Sequence, residues 1–168
     1  MAREVWLPLG RRVADEERRS IVFNNVLVAI DGSKPSSNAL VAAAELSAKF
    51  GAKLHVVHVV REMQVPLNPG LMDAYEKLHR QRHDLLNAAG EQLVNQAKRS
   101  LEAKGIDAVE TDIGSGDPAS AIVDYADRNK VDLIVIGSRG LGQIEGMLMG
   151  SVSRKVSNTT KTNCLIMR

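Results

Sequence analysis

The chain has 168 residues, with 22 basic against 20 acidic side chains, 44% hydrophobic residues and only 3% aromatic ones. That length suits one domain with a sizeable aliphatic core. The near-balanced charge, without a basic block, argues against a nucleic-acid surface, and the scarcity of rings removes the stacking platform that single-strand binders need.

No apolar run approaches the length of a membrane-spanning helix, so no membrane association is expected. Val5–Gly10 is too short and too interrupted by proline for a signal segment. A lone cysteine, Cys164, cannot form an intrachain disulfide and fits a reducing cytoplasm; its apolar neighbours make it a small core residue, not a reactive thiol.

Residues 1–20 follow no periodic pattern and read as a flexible arm, with docking of Trp6 and Leu7 as the alternative; residues 21–168 read as the domain. Val26–Ile30 is a continuous apolar strand closed by Asp31-Gly32-Ser33. Ser33 is a plausible N-cap and Pro35 suits a first turn. The helix that follows carries a stripe of Ala39, Ala43, Leu46 and Phe50 and closes at Gly51. Leu54–Val60 reads as a second strand and residues 61–70 as a loop. From Leu71 to Lys104 the pattern is helical, with Leu71, Tyr75, Leu78, Leu85, Ala89 and Leu93 recurring, and with Gly90 able to kink or divide it. Val109–Ile113 is a weaker strand, and Gly114-Ser115-Gly116 is expected to turn the chain. Asp117-Pro118 opens a helix with Ala119, Ile122, Val123 and Ala126 on its buried side. Strand Leu133–Ile136, a glycine loop, helix Val152–Asn158 and strand Cys164–Met167 complete the set. Strand and helix alternate throughout, which predicts an α/β fold: a five-stranded parallel sheet with right-handed crossovers and helices on both faces, Rossmann-like.

The most informative stretch is Val131–Thr160. A buried strand stops at Gly137, glycines follow at 140, 142, 146 and 150, and Gly150-Ser151 leads into a helix. A glycine loop brings bare backbone N–H groups to an anion, and a helix N-terminus adds unpaired amides and a positive dipole end. The two together predict a phosphate site.

The spacing Gly137-x2-Gly140-x9-Gly150-Ser151 resembles the nucleotide motif of the universal stress protein family, in its ATP-binding branch. Val26–Ser33 and Val56–Val60 resemble two further landmarks of that family, so the resemblance runs from about Asn25 to Arg168. It implies strand order 3-2-1-4-5, with the ligand at the switch point between the first and fourth strands. It implies that Asp31 stands beside the ribose and metal-bound phosphates, and that the backbone of Val59 reads the adenine edge. Capping of the following turn is an equally good reading of Asp31. Gly137, Gly140, Gly150, Ser151, Val152 and Ser153 would surround the phosphates. Arg139 would clamp them or point to solvent, while Arg154 and Lys155 read as a solvated face.

The expected ligand is ATP with Mg²⁺ or Mn²⁺ on its phosphates, in a cytoplasmic sensor or switch that is a homodimer through Asn163–Met167. A slow ATPase with Asp31 as base, or an AMP or cyclic AMP module, are the alternatives. His58 reads as a packed core histidine. His79 and His83 share a helix face but have no evident third metal ligand. Neither G-x-G-x-x-G nor G-x4-G-K-[ST] occurs.

Overall fold

The computed structural model describes residues 23–62, 72–142 and 148–168. The arm expected at 1–20, most of the loop expected at 61–70, and Gly146 lie outside the described residues. Five strands, β1 (Asn25–Ala29), β2 (Lys53–Arg61), β3 (Val109–Gly116), β4 (Leu133–Gly137) and β5 (Asn163–Met167), alternate with four helices, α1 (Lys34–Phe50), α2 (Met72–Glu102), α3 (Pro118–Arg128) and α4 (Ser151–Thr159). All pairs are parallel and the sheet order is β3-β2-β1-β4-β5, as the family resemblance implies.

Sequence parity divides the core in two. Val26, Val28, Leu54, Val56, Leu133 and Val135 face α1 and α2, where they meet Ala39, Ala43, Val94 and Leu101. Leu27, Val57, Ile134 and Ile136 face α3 and α4 and meet Ala119, Ile122, Ala126 and Val156. Central strands buried on both faces need apolar residues at every position, hence the unbroken Val/Ile/Leu runs. The helix boundaries follow their caps: the Ser33 hydroxyl accepts from Ser36 N and Gly51 closes α1 at φ 66°, while Asp117 accepts from Ser120 N ahead of Pro118.

Three local expectations change. Gly90 does not divide α2, which is continuous; a Cβ there would come within 2.8 Å of the His58 ring, so the glycine makes room for the histidine. Residues 114–116 do not turn the chain but extend β3 to Gly116, beside Arg61 of β2. On α2, Leu78 and Leu85 are exposed, whereas Val94, Ala97 and Leu101 are buried. The 31-residue helix, about 46 Å long at 1.5 Å per residue, is longer than the strands it covers.

Register sets the shape of the ligand end. Ala29, the last residue of β1, lies opposite both Val57 and Ile136. The β2–β3 pair then continues to Arg61 and Gly116, roughly 13 Å further at 3.3 Å per residue. A two-stranded wall thus stands above the ends of β1 and β4.

Toward the other end His55 is 2% exposed. Its Nε2 donates to Asn25 Oδ1 at 3.4 Å, its Nδ1 accepts from the Tyr125 hydroxyl at 3.1 Å, and Glu110 Oε2 lies 3.4 Å from Nδ1. Glu110 in turn pairs with Lys53. Burial pulls the imidazole below its ordinary value, and the attraction of Glu110 offsets this only in part. As the pH falls through about 6.5, the unfolded chain therefore takes up a proton that the folded one resists. Stability is full above that pH and declines below it. We expect the urea midpoint to fall between about pH 7.5 and 5.5, with a shallower fall in His55→Gln; parallel slopes in the two proteins would contradict this.

Candidate functional site

A cavity of about 430 Å³ opens at the carboxyl ends of β1, β2 and β4, within the range of about 300–1,000 Å³ usual for small-molecule sites. Its apolar part is made by Ala29, Val57 and Ile136 from the strands, with Ile122 of α3 and Val152 of α4. All nine residues expected at the site line it: Asp31, Val59, Gly137, Arg139, Gly140, Gly150, Ser151, Val152 and Ser153.

Ladder parity aims the backbone of Val59. Ile30 N donates to Val57 O at 2.9 Å, the last β1–β2 bond, whereas Glu62 N donates to Gly116 O on the β3 side. Backbone groups of a strand alternate between its two neighbours. The N–H and C=O of Val59 therefore point to the β1 side, past the end of β1. They form a donor and an acceptor on one strand edge.

The glycine loop is held from both helices that flank it. Ser33, the α1 cap, donates its hydroxyl to Arg139 O at 3.3 Å. Ser153, buried in the first turn of α4, donates to Ser138 O at 2.9 Å and to Gly150 O at 3.1 Å. Gly150 N also donates to Ser138 O at 2.7 Å. Asp31 joins these supports: Oδ1 accepts from Ser33 N at 3.0 Å and Oδ2 from Leu141 N at 3.2 Å. The turn-capping reading of Asp31 therefore holds, and its carboxylate reaches the glycine loop as well.

Two of the motif glycines, Gly137 and Gly140, are demanded by protein contacts here, whereas Gly150 has room for a Cβ in ordinary contact. A Cβ on Gly137 would sit 2.8 Å from the backbone of Pro35 and Ser36, and one on Gly140 would collide with Asp31 Oδ2. One on Gly150 would lie 3.4 Å from Arg139 Cα and Ser138 O. Gly142 has open space around it.

Besides the buried Ser138 hydroxyl, which has no partner among the described residues, two features at the loop remain unpaired beside the cavity. Caps are described for α1, α3 and α4, and of these only α4 has no side-chain cap hydrogen bond. Its first amides, at Ser151, Val152 and Ser153, lie beside the cavity with no side chain occupying them. Arg139 is half-buried, and its Nε is buried without a hydrogen-bond partner among the described residues. Unpaired amides at a helix start and a guanidinium are groups to which anions are attracted, and here they share one rim.

Nearby, Lys155 is not simply solvated: its Nζ lies 2.8 Å from Asp117 Oδ1 and ties α4 to the cap of α3. That bond, with the donors of Ser120, holds the Asp117 carboxyl well below the usual carboxylate range. His58 Nδ1 donates to Ile30 O at 2.8 Å, which makes it a packed histidine that also lines the cavity. His79 and His83 stack with centroids 6.5 Å apart, and no group of three metal-ligating side chains occurs among the described residues. Lining residues not foreseen at the site include Ser36, Arg61, Arg82 and Leu86. The signal on α2 was available in the spacing, since Arg82, Leu86 and Gly90 fall four apart on one face.

The model of the universal stress protein family matches residues 23–168. The chain belongs to the universal stress protein family. It is 38% identical over 149 residues to universal stress protein YxiE of Bacillus subtilis, covering 88% of this chain and all of that protein. Its fold matches universal stress protein UspA from Lactobacillus plantarum with TM-score 0.76 at 24% identity, covering 87% of this chain and 98% of that one. A universal stress protein in complex with cAMP matches with TM-score 0.62 at 29% identity, over 88% and 98% of the two chains.

These contacts separate the glycines of this universal stress protein by cost. Gly137→Ala should lose about 1–3 kcal/mol from overpacking against α1, whereas Gly142→Ala should stay within about 0.5 kcal/mol of the parent. Urea denaturation of the two variants tests this, and equal losses would contradict it.

Proposed function

We propose that this stress-response protein is a cytoplasmic, nucleotide-dependent regulator that binds ATP in the cavity between the glycine loop and the β2–β3 wall. The observation that carries the reading is the uncapped start of α4 beside the unpaired Nε of Arg139. An anion there would complete both, accepting from the first-turn amides and from the guanidinium. Across the cavity the N–H and C=O of Val59 match the neighbouring acceptor and donor on the adenine edge. The apolar residues between them suit a base. The similar protein in complex with cAMP supports the choice of an adenine nucleotide.

Mg²⁺ or Mn²⁺ would be carried by the phosphates and not by a protein cage. Asp31 is the one carboxylate among the described cavity residues, and both its oxygens already accept backbone amides. Magnesium often binds through substrate phosphates with few protein ligands. Asp31 is also held toward the glycine loop through Leu141 N, a structural task that argues against its service as a general base on an attacking water. A regulatory role follows more directly: a ligand that binds only the folded state stabilises it by mass action. We also propose a homodimer through β5, an edge strand whose apolar residues Leu165 and Ile166 are only half-buried.

Calorimetric titration with ATP, with and without Mg²⁺, tests the assignment. Binding is expected in the parent, weakened about 10- to 100-fold in Arg139→Ala by loss of one charge-assisted contact. Absence of binding in the parent, or equal binding by both, would overturn it.

A further inference from the structure

β1 stops a hydrogen bond short of what its register with β2 allows. Along β2, odd-numbered residues turn their backbone groups to β1 and even-numbered ones to β3. Lys53 N donates to Asn24 O and Val57 O accepts from Ile30 N, while Leu54 N donates to Ala108 O and Glu62 N to Gly116 O. Asn25 to Ala29 pair in order with Lys53 to Val57, so Ile30 falls opposite His58. In a parallel ladder the next bond would run from Val59 N to Ile30 O. That bond is not made: β1 ends at Ala29, and Ile30 O instead accepts from His58 Nδ1 at 2.8 Å.

The histidine is built into this position. It shares the α2-facing side of β2 with Leu54 and Val56, and its ring lies between the end of β1 and α2. On α2 it meets Gly90, where a Cβ would stand 2.8 Å from its Cδ2. A carbonyl only accepts, so the neutral ring carries its proton on Nδ1, and an imidazolium would donate from the same atom. The contact holds in either charge state.

We propose that His58 is a positioning residue: by holding Ile30 O it keeps the β1–β2 ladder open at Val59, so that the Val59 N–H stays available to the base of a bound nucleotide. This rests on the nucleotide reading above, in which the Val59 edge meets adenine. Were Ile30 O free, the Val59 N–H would be its ladder donor, and a base would have to displace that bond first. Such competition is worth about 3- to 10-fold in affinity. The same contact accounts for Gly90, whose missing side chain leaves the ring its place.

The test is amide hydrogen exchange of the full chain with and without ATP and Mg²⁺, joined to calorimetry, on the parent, His58→Leu and His58→Asn. Leucine removes the donor at similar size, while asparagine keeps an N–H donor at the δ position. In the parent the Val59 amide should exchange about tenfold or more faster than that of Val57, which lies inside the ladder, and ATP should slow it. In His58→Leu the ladder should close: Val59 exchange slows about tenfold without ligand, and ATP binds about 3- to 10-fold more weakly. His58→Asn should keep both parent properties. A loss of packing alone would quicken exchange nearby and would not slow Val59. A Val59 amide as protected as Val57 in the ligand-free parent would overturn the proposal, and that comparison needs no variant to fold. So would parent-like Val59 exchange and ATP binding in a folded His58→Leu, or a closed ladder in His58→Asn. A parent that binds no ATP while its Val59 amide exchanges freely would remove the nucleotide reading and leave the open ladder standing.

Discussion

The functional end of this molecule depends on β1 and β4 lying side by side while the helices that follow them leave to opposite faces. α1 packs with the strand residues facing one side and α4 with those facing the other. Right-handed crossovers in a parallel sheet impose that divergence wherever strand order reverses. The chains part just beyond Ala29 and Ile136, and a cleft opens there. Nothing about its position requires a particular ligand. The β2–β3 pair, running on past Val57, turns the cleft into a pocket with one tall wall.

The chemistry of the pocket comes from how tightly its low wall is built. The start of α1 crosses the end of β4 so closely that Gly137 has no room for a side chain. Ser33 and Ser153 hold the loop from its two flanks, and Asp31 ties it to the end of β1. The N-cap position of α4 is Gly150, which has no side chain to offer, so the first amides of α4 lie beside the cavity without a side-chain cap. With glycine at the N-cap, the missing side-chain bond costs only about a few tenths of a kcal/mol relative to Ser, Thr or Asp.

Much of this was legible in the sequence, but not always for the reason first assigned. Continuous Val/Ile/Leu runs located β1, β2 and β4 because strands buried on both faces leave no alternation to misread. The cap pairs Ser33 with Pro35 and Asp117 with Pro118 placed two helix starts to within a residue. The glycine spacing found the loop, although Gly137 and Gly140 answer to Pro35, Ser36 and Asp31 and not to phosphate bulk alone. A glycine pattern records any close approach of backbone, and one sequence cannot say what approaches. The failures were tertiary. Gly90 looked like a break because its partner, His58, is 32 positions away in the chain. Gly114–Gly116 looked like a turn because the β2 partner that keeps the segment extended is more remote still, 55 positions away for Gly114 and Val59. Leu78 and Leu85 kept a helical period on a stretch of α2 that offers them no core. Arg61 carries no local mark beyond its charge, whereas Arg82 shares a helix face with Leu86 and Gly90.

The central claim is that an adenine nucleotide bridges the glycine loop and the exposed edge of β2. The most direct measurement is an amide-resolved NMR titration of the full chain with ATP and Mg²⁺. The account predicts that the largest shifts fall on Leu141, Ser151, Val152, Ser153 and Val59 together, while the amides of β5 and of the His55 cluster stay in place. Shifts confined to the loop without Val59, or concentrated elsewhere on the chain, would contradict it.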